Sequence, residues 1–299
     1  RAPLPWTFFG AIAAILLAGF ALWLVLDRPL PSAVQIASAP EPVPVEIEPW
    51  SPPARVPSQV FPLAIRRVVV DPGHGGTDLG TGTRSGMAEK ELTLDIARRL
   101  AKRLVEGGFE ATLTRDADSR LLLRERARIA NERQADLFVS IHLNWFEDGR
   151  ANRGIETYYL GPADDPFVNA LASAENRESG YTIGDVRRLL DSIYADLRQQ
   201  QSRALATAVQ TRLVRSAHAN SPEVRDRGVK SAPFLVLVTT EMPAILAEVA
   251  SLANADEAEL LDQEEYRERI AIALFDGIRA YSRSVARMSS ETSERTEAR

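Results

Sequence analysis

The chain of 299 residues contains no cysteine and only three histidines. The absence of cysteine excludes a disulfide framework and every thiolate metal site, so any metal must be held by nitrogen and oxygen ligands. Basic residues are not in excess either, because 36 Lys and Arg stand against 41 Asp and Glu, a formal net charge of -5. Without a basic stripe on its surface, the protein is not expected to bind nucleic acid.

One long apolar run differs from the rest of the composition. Trp6 to Leu26 is a run of 21 residues without a charge, which is enough to cross a hydrocarbon core of about 30 Å. A buried core helix seldom lacks a polar face over this length, and a cleaved signal peptide usually has a shorter apolar region. We therefore expect residues 1–28 to form a single-pass membrane anchor.

Proline is concentrated in the segment that follows this run. Residues 29–64 are predicted to form an extended, semi-rigid linker, because proline at this density favours polyproline II. Over residues 65–282, apolar runs typical of buried strands alternate with amphipathic helices, and residues 283–299 form a polar tail. This alternation predicts a single-domain α/β sandwich, with a mostly parallel or mixed central sheet flanked by helices.

The individual elements can be predicted from periodicity and from glycine and proline positions. Strands are expected at 67–70, 109–114, 136–142, 154–160, 234–238 and 244–249, and helices at 91–107, 122–132, 203–216 and 257–281. Residues 161–201 form a long insertion, with a polar first part and a helix over 185–201. Insertions of this length in compact domains are usually lids, binding loops or disorder.

Two of the three histidines directly follow short apolar runs that are typical of buried strands. These are His74 and His142, and strand ends in open α/β sheets are where sites are usually built. Imidazole is also the commonest protein ligand for transition metals. A third ligand could be an Asp, a Glu or His218, although His218 lies in a polar segment after a helix and is expected at the surface.

Acidic residues near these strands could complete a hydrolytic metal site. Glu89 is the strongest candidate ligand, because a glycine-rich loop can bring the helix N-terminus that carries it beside His74. From spacing alone, Glu89 is explained equally well as an acidic residue of the first helical turn that complements the helix dipole. Asp71 could be a ligand or could orient a ligand histidine. Glu248 stands alone in an apolar strand, where a carboxylate is costly unless it is paired or catalytic. We expect catalysis, with a salt bridge to arginine as the alternative.

The motifs around these residues resemble the zinc-dependent N-acetylmuramoyl-L-alanine amidases, which cleave bacterial peptidoglycan. The matching segments are Val70–Gly76 (VDPGHGG), Glu89–Leu92 (EKEL), Leu113–Asp116 (LTRD), Ser140–Asn144 (SIHLN), Arg153–Leu160 (RGIETYYL) and Arg227–Lys230 (RGVK). The resemblance implies that His74, Glu89 and His142 bind Zn²⁺ and that Glu248 is the catalytic carboxylate.

One departure from the family pattern follows Glu248. The family usually continues with a glycine and an aromatic residue before a small polar residue and an asparagine. This chain keeps Asn254 but has Ala250 and Ser251 at the glycine and aromatic positions. The departure concerns the shape of the substrate groove rather than the metal ligands.

The resemblance also implies a function and a location. The enzyme would hydrolyse the amide bond between N-acetylmuramic acid and L-alanine of the stem peptide, for cell-wall remodelling or daughter-cell separation. Its domain would lie in the periplasm or otherwise outside the cytoplasm, tethered to the membrane. The alternatives are a catalytically inactive, membrane-tethered peptidoglycan-binding protein and a zinc carboxypeptidase acting on stem peptides.

The insertion has a counterpart in the same family. Some of these amidases carry a helix at this position that occludes the zinc until a protein activator displaces it. The predicted helix over 185–201 resembles that element, and its acidic residues Asp185, Asp191 and Asp196 could face the metal. Ordinary amphipathic packing of this helix on the domain is the alternative.

Overall fold

The computed structural model describes residues 65–82, 86–144, 154–163, 165–179, 197–219 and 221–297. The predicted anchor and linker, residues 1–64, lie outside these ranges. By internal contacts the chain divides into residues 1–51 and 52–299, and only the second unit contains described residues. Within the described ranges, no helix is both long enough and apolar enough to cross a membrane.

Strands and helices alternate along the described part of the chain. The strands are β1 (Arg67–Pro72), β2 (Glu110–Leu113), β3 (Leu137–Asn144), β4 (Ile155–Leu160), β5 (Asp226–Ala232) and β6 (Ala244–Ser251). The helices are α1 (Glu89–Glu106), α2 (Leu123–Glu132), α3 (Pro166–Glu175), α4 (Leu197–His218), α5 (Leu235–Val238), α6 (Ala255–Leu261) and α7 (Glu264–Glu297). A short 3₁₀ turn, Arg177–Ser179, follows α3.

The strands form one mixed sheet in the order β2-β1-β3-β6-β4-β5. Strands β2, β1, β3 and β6 are parallel, whereas β4 is antiparallel to β6 and parallel to β5. The prediction of an α/β fold with a mixed sheet is therefore confirmed. In this register His142 on β3 pairs with Glu248 on β6, and Glu248 pairs in turn with Glu156 on β4.

Side chains along the strands alternate between the two faces of the sheet. One face is apolar, and the other becomes polar at one end. Val70, Val139 and Ile245 belong to a core built with α1, α4 and α7. Phe138 and Leu246, on the opposite face, pack in a second core with residues of α2, α3 and α5. Because successive side chains of a strand point to opposite faces, His142, Asn144 and Glu248 extend this second face as polar groups.

Three predicted elements differ from the structure. The run 234–238, predicted as a strand, contains the one-turn helix α5, and the neighbouring strand is β5. β5 was missed because it is an edge strand of mostly half-buried, polar residues without clear alternation. The helix predicted over 257–281 is two helices, and the second continues to Glu297 through most of the predicted tail.

The first part of the insertion also differs, because it contains helix α3. Asp165 caps this helix by accepting a hydrogen bond from Phe167 N at 2.9 Å, and Pro166 occupies its first turn. Proline is favoured there because its missing N–H would have no partner in the helix. Most of the helix predicted over 185–201 lies outside the described residues, and its last five residues belong to α4.

Candidate metal centre

A glycine-rich loop after β1 carries His74 to the polar end of the second face. His74 has a φ of 59°, a left-handed conformation that residues other than glycine rarely adopt. Buried arginines fix the carbonyls of this loop: Arg126 donates to Pro72 O and to His74 O, both at 2.7 Å, and Arg115 donates to Gly73 O at 2.7 Å. These charge-assisted hydrogen bonds hold the strained backbone in place.

Asp71 has neither of the two roles considered from the sequence. Its carboxylate accepts hydrogen bonds from Thr114, from Arg126 at 2.8 Å and from Ser140 at 2.8 Å. Asp71 therefore anchors Arg126 beneath the loop. The carboxylate that bonds a site histidine is Asp78, whose Oδ2 lies 2.8 Å from His74 Nδ1.

His74, Glu89 and His142 converge on a single point. Glu89 is the first residue of α1, and its Oε1 lies 3.2 Å from His74 Nε2 and 3.5 Å from His142 Nδ1. The Glu89 carboxylate is fixed by Leu143 N, at 2.8 Å from Oε1, and by Thr81 N, at 3.0 Å from Oε2. The three potential ligand atoms lie within 4.8 Å of one another, as the ligands of one ion would.

Two glycines make room for this cluster. A Cβ at Gly73 would lie 2.5 Å from the His142 ring, and one at Gly80 would lie 2.7 Å from both Glu89 Oε2 and His74 Cδ2. Among the described residues, His74 Nε2 and His142 Nδ1 are buried and make no hydrogen bond, although Glu89 Oε1 lies near both. Two unpaired imidazole nitrogens beside a carboxylate oxygen fit the ligand preferences of a divalent transition metal such as zinc.

A fourth group, Glu175, reaches the same point from the insertion. Glu175 is the last residue of α3, and its Oε2 lies 3.1 Å from His142 Nδ1 and 3.6 Å from His74 Nε2. Sequence reasoning did not identify Glu175, because the segment around it was interpreted as polar and irregular. The Asp165–Pro166 helix start and the apolar residues spaced along α3 were the signals that could have revealed it. Asp185, Asp191 and Asp196 lie outside the described residues.

Helix α3 is docked on the domain by both apolar and polar contacts. Val168, Leu171 and Ala172 are buried in the second core. Directly after Glu175, the Asn176 amide donates to Pro233 O at 2.9 Å and accepts from Leu235 N at 2.8 Å. These contacts hold Glu175 over the three potential ligands.

Glu248 lies beside this cluster and has no hydrogen-bond partner in the part of the chain that the structure describes. It is 1% exposed, and neither carboxylate oxygen has a hydrogen-bond partner among the described residues. The arginine salt bridge considered as an alternative is therefore not found in the described part of the chain. Burial raises the pKa of Glu248 well above its usual range, and the charges of Glu175 and Glu89 add to this effect against the opposing charge of His142.

The charges of the cluster balance one another. Burial would lower the pKa of both histidines, but the nearby carboxylates outweigh it. Glu89 and Glu175 raise the pKa of His74 well above its usual range, and Glu175 and Glu89 raise that of His142 to about 10. Burial would raise the pKa of Glu89, yet His74 and His142 hold it well below its usual range. Protons on the imidazoles would therefore bring positive charge to the cluster, as a bound cation also would.

The other residues named from the sequence have structural positions outside the cluster. His218 is exposed at the end of α4, with Nε2 2.7 Å from Val224 O. Ala250 and Ser251 are buried in β6, and Ser251 N donates to Glu257 Oε2 at 2.6 Å. Asn254 caps α6 by accepting hydrogen bonds from two backbone amides, each at 3.1 Å.

Comparisons with known proteins indicate the family to which this fold and site belong. A family model described as N-acetylmuramoyl-L-alanine amidase matches residues 68–280. The N-acetylmuramoyl-L-alanine amidase AmiA of Escherichia coli K12 is 32% identical over 221 residues, which are 72% of this chain and 76% of AmiA.

Solved structures give the same result. An N-acetylmuramoyl-L-alanine amidase from Clostridium difficile 630 is 31% identical with a TM-score of 0.56, covering 73% of this chain and 97% of that one. The CwlD amidase of Clostridioides difficile, solved in complex with the GerS lipoprotein, is 26% identical with a TM-score of 0.54, covering 72% of this chain and 98% of that one.

Proposed function

The chain belongs to the N-acetylmuramoyl-L-alanine amidase family, and we propose that it cleaves peptidoglycan with a zinc ion held by His74, Glu89 and His142. The observation that carries the zinc assignment is the convergence of two buried, unpaired imidazole nitrogens on Glu89 Oε1. Catalytic zinc sites commonly use three such protein ligands and keep a fourth position open. The bond cleaved joins N-acetylmuramic acid to L-alanine of the stem peptide.

The residues around this site have separate tasks in the hydrolysis. A bound zinc ion would supply Lewis-acid polarisation and lower the pKa of water. Glu248 takes the proton from the attacking water and delivers it to the nitrogen of the departing L-alanine. The burial of Glu248 suits this task, because it raises the pKa of the carboxyl group and lets the group hold a proton. Asp78 orients His74 so that Nε2 is available as a ligand.

Two variants separate metal binding from catalysis. Glu248→Gln keeps the shape of the side chain but cannot accept a proton, so we expect normal zinc content and a loss of hydrolysis of about 10²- to 10⁴-fold. His142→Ala should lose both zinc and activity. Zinc is measured by mass spectrometry of the purified protein, and hydrolysis by the release of stem peptides. Near-normal turnover by Glu248→Gln would refute its assignment.

The alternatives considered from the sequence are disfavoured by this site. An inactive binding protein has no need of two unpaired imidazole nitrogens or an unpaired carboxylate, and all four residues are present. A zinc carboxypeptidase could use the same ligands, but the family membership and the overall similarity to amidases support cleavage at the muramoyl bond.

We further propose that helix α3 inhibits the resting enzyme through Glu175. Its carboxylate lies 3.1 Å from His142 Nδ1 and 3.6 Å from His74 Nε2, so it could add a further ligand to an ion held by these residues. The substrate would then reach a bound ion only after Glu175 has moved away, so a protein that displaces α3 would act as an activator. The structure of CwlD in complex with a lipoprotein supports the idea that such amidases have protein partners.

The cellular location is also a proposal. The uncharged run Trp6–Leu26 supports a membrane anchor, and the proline-rich residues 29–64 would hold the catalytic domain at a distance outside the cytoplasm, where peptidoglycan lies. Such an enzyme could serve cell-wall remodelling or daughter-cell separation. Retention of the full chain in membranes after alkaline extraction supports the anchor, and release into the soluble fraction contradicts it.

A further inference from the structure

Three polar residues without an assigned role meet beside Glu248. They lie on β3, β4 and β5, and each contributes one polar side chain. Asn144 Nδ2 donates a hydrogen bond to Glu156 Oε1, and Lys230 Nζ donates to Glu156 Oε2 at 2.6 Å. Glu156 is fully buried and pairs in register with Glu248 on the strand between β3 and β4. This series of hydrogen bonds therefore runs across β6, the strand that carries Glu248.

These hydrogen bonds determine which way the Asn144 amide points. The Glu156 carboxylate, which is paired with Lys230, offers only acceptor oxygens, so Asn144 must turn its NH₂ group towards it and its Oδ1 away. Asn144 is 1% exposed, and no described residue donates to Oδ1. A buried acceptor without a donor is costly. Its fixed orientation therefore indicates a donor that arrives with the substrate.

We propose that Asn144 Oδ1 accepts a hydrogen bond from the nitrogen of the scissile amide, and that Glu156 and Lys230 position it. Asn144 shares one face of β3 with His142, and His142 pairs with Glu248. The inference rests on the proposed function, in which Glu248 protonates that nitrogen. As the water oxygen bonds to the lactyl carbon and the C–N bond breaks, the nitrogen receives the proton from Glu248. Oδ1 accepts the N–H that this nitrogen already carries in the substrate, a donor that an ester oxygen lacks.

A pair of substrates tests this role directly. The first is a soluble N-acetylmuramoyl-L-alanyl peptide, and the second is its ester analogue, in which oxygen replaces the scissile N–H. In the zinc-loaded full chain, we expect Asn144→Ala to lower kcat for the amide about 10- to 100-fold, the range for a lost hydrogen bond at a developing charge. Cleavage of the ester, which has no N–H to bind, should be unchanged.

An isosteric variant makes the same test without creating a cavity. In Glu156→Gln, Lys230 would hold the amide oxygen of the new side chain, so its NH₂ would face Asn144. Asn144 would then turn its Oδ1 towards residue 156 and present a donor to the substrate. We therefore expect Glu156→Gln to lose amide cleavage nearly as strongly as Asn144→Ala, again with ester cleavage retained.

The control is Asn131→Ala, which removes a fully paired asparagine outside the site. Asn131 donates to Thr239 O at 2.8 Å and accepts from Glu241 N at 3.1 Å. It should lower thermal stability and leave the ratio of amide to ester cleavage unchanged. An equal loss on both substrates in Asn144→Ala and Glu156→Gln would overturn the inference. Failure of the parent protein to cleave either substrate would contradict the proposed function itself.

Discussion

Replacing Glu175 by alanine should activate the resting enzyme. The substitution removes the carboxylate that lies 3.1 Å from His142 Nδ1 and 3.6 Å from His74 Nε2, and it leaves the rest of α3 intact. A close pair of opposite charges, such as Glu175 with a protonated His142, contributes about 1.5–3 kcal/mol when it is desolvated, the lower part of the measured range. Since about 1.4 kcal/mol corresponds to a tenfold change in an equilibrium constant, the population with an open site should rise about 10- to 100-fold.

The activation should remain incomplete, because other contacts still hold α3. Val168, Leu171 and Ala172 stay buried, and the two Asn176 hydrogen bonds contribute about 0.5–1.5 kcal/mol each. Asn176→Ala is therefore expected to activate as well, with some loss of stability. Combining Glu175→Ala with Asn176→Ala should raise activity further than either change alone.

The assay is the initial rate of stem-peptide release from purified peptidoglycan, with zinc content and melting temperature measured on the same samples. Ser173→Ala is the matched control, because Ser173 lies on the exposed side of the same helix. It should leave the rate unchanged. A folded, zinc-loaded Glu175→Ala protein with no increase in rate over the wild type would refute the inhibitory role.

Three further predictions concern the residues that support the site. Asp78→Ala should weaken zinc retention about 10- to 100-fold, measured by competition with a chelator, because His74 loses the carboxylate that orients it; unchanged retention would argue against that role. Asn254→Ala should lower the free energy of unfolding in urea by about 1 kcal/mol, since α6 loses its cap, and activity per folded molecule should persist; a loss of activity at unchanged stability would instead assign Asn254 to the substrate groove. Zinc binding to the metal-free protein at neutral pH should release protons, seen as a binding enthalpy that depends on the buffer. The raised pKa values of His74 and His142 mean that both rings are protonated there, so affinity should increase as the pH rises towards about 10; a buffer-independent enthalpy would contradict this.

The sequence predicts those residues of the site that lie in, or directly after, buried strands. His74, His142 and Glu248 each lie in or directly after an apolar run, so the parallel strands bring them to one end of the sheet. Glu89 could be placed only by the resemblance, because the spacing does not determine how a glycine-rich loop folds back. Glu175 could not be assigned, since its position depends on how an insertion packs on a surface that the sequence does not describe.

Polar partners inside the fold were the least predictable feature. Asp71 was considered for the metal site, but buried Arg126, Thr114 and Ser140 use its oxygens. Such pairings depend on which side chains meet across strands far apart in sequence. The edge strand β5 was missed for a related reason, because its residues are mostly polar and only half-buried. The short run around α5 was assigned to the wrong class because a few apolar residues fit a strand and a helix equally well.

The measurement that tests the central claim most directly is mass analysis of the fragments released from purified peptidoglycan by the zinc-loaded protein. Cleavage between N-acetylmuramic acid and L-alanine predicts intact stem peptides with a free L-alanine amino terminus, together with glycan chains that carry no peptide. The metal-free protein and Glu248→Gln should release neither product. Stem peptides that stay on the glycan and lose a single terminal residue would contradict the account.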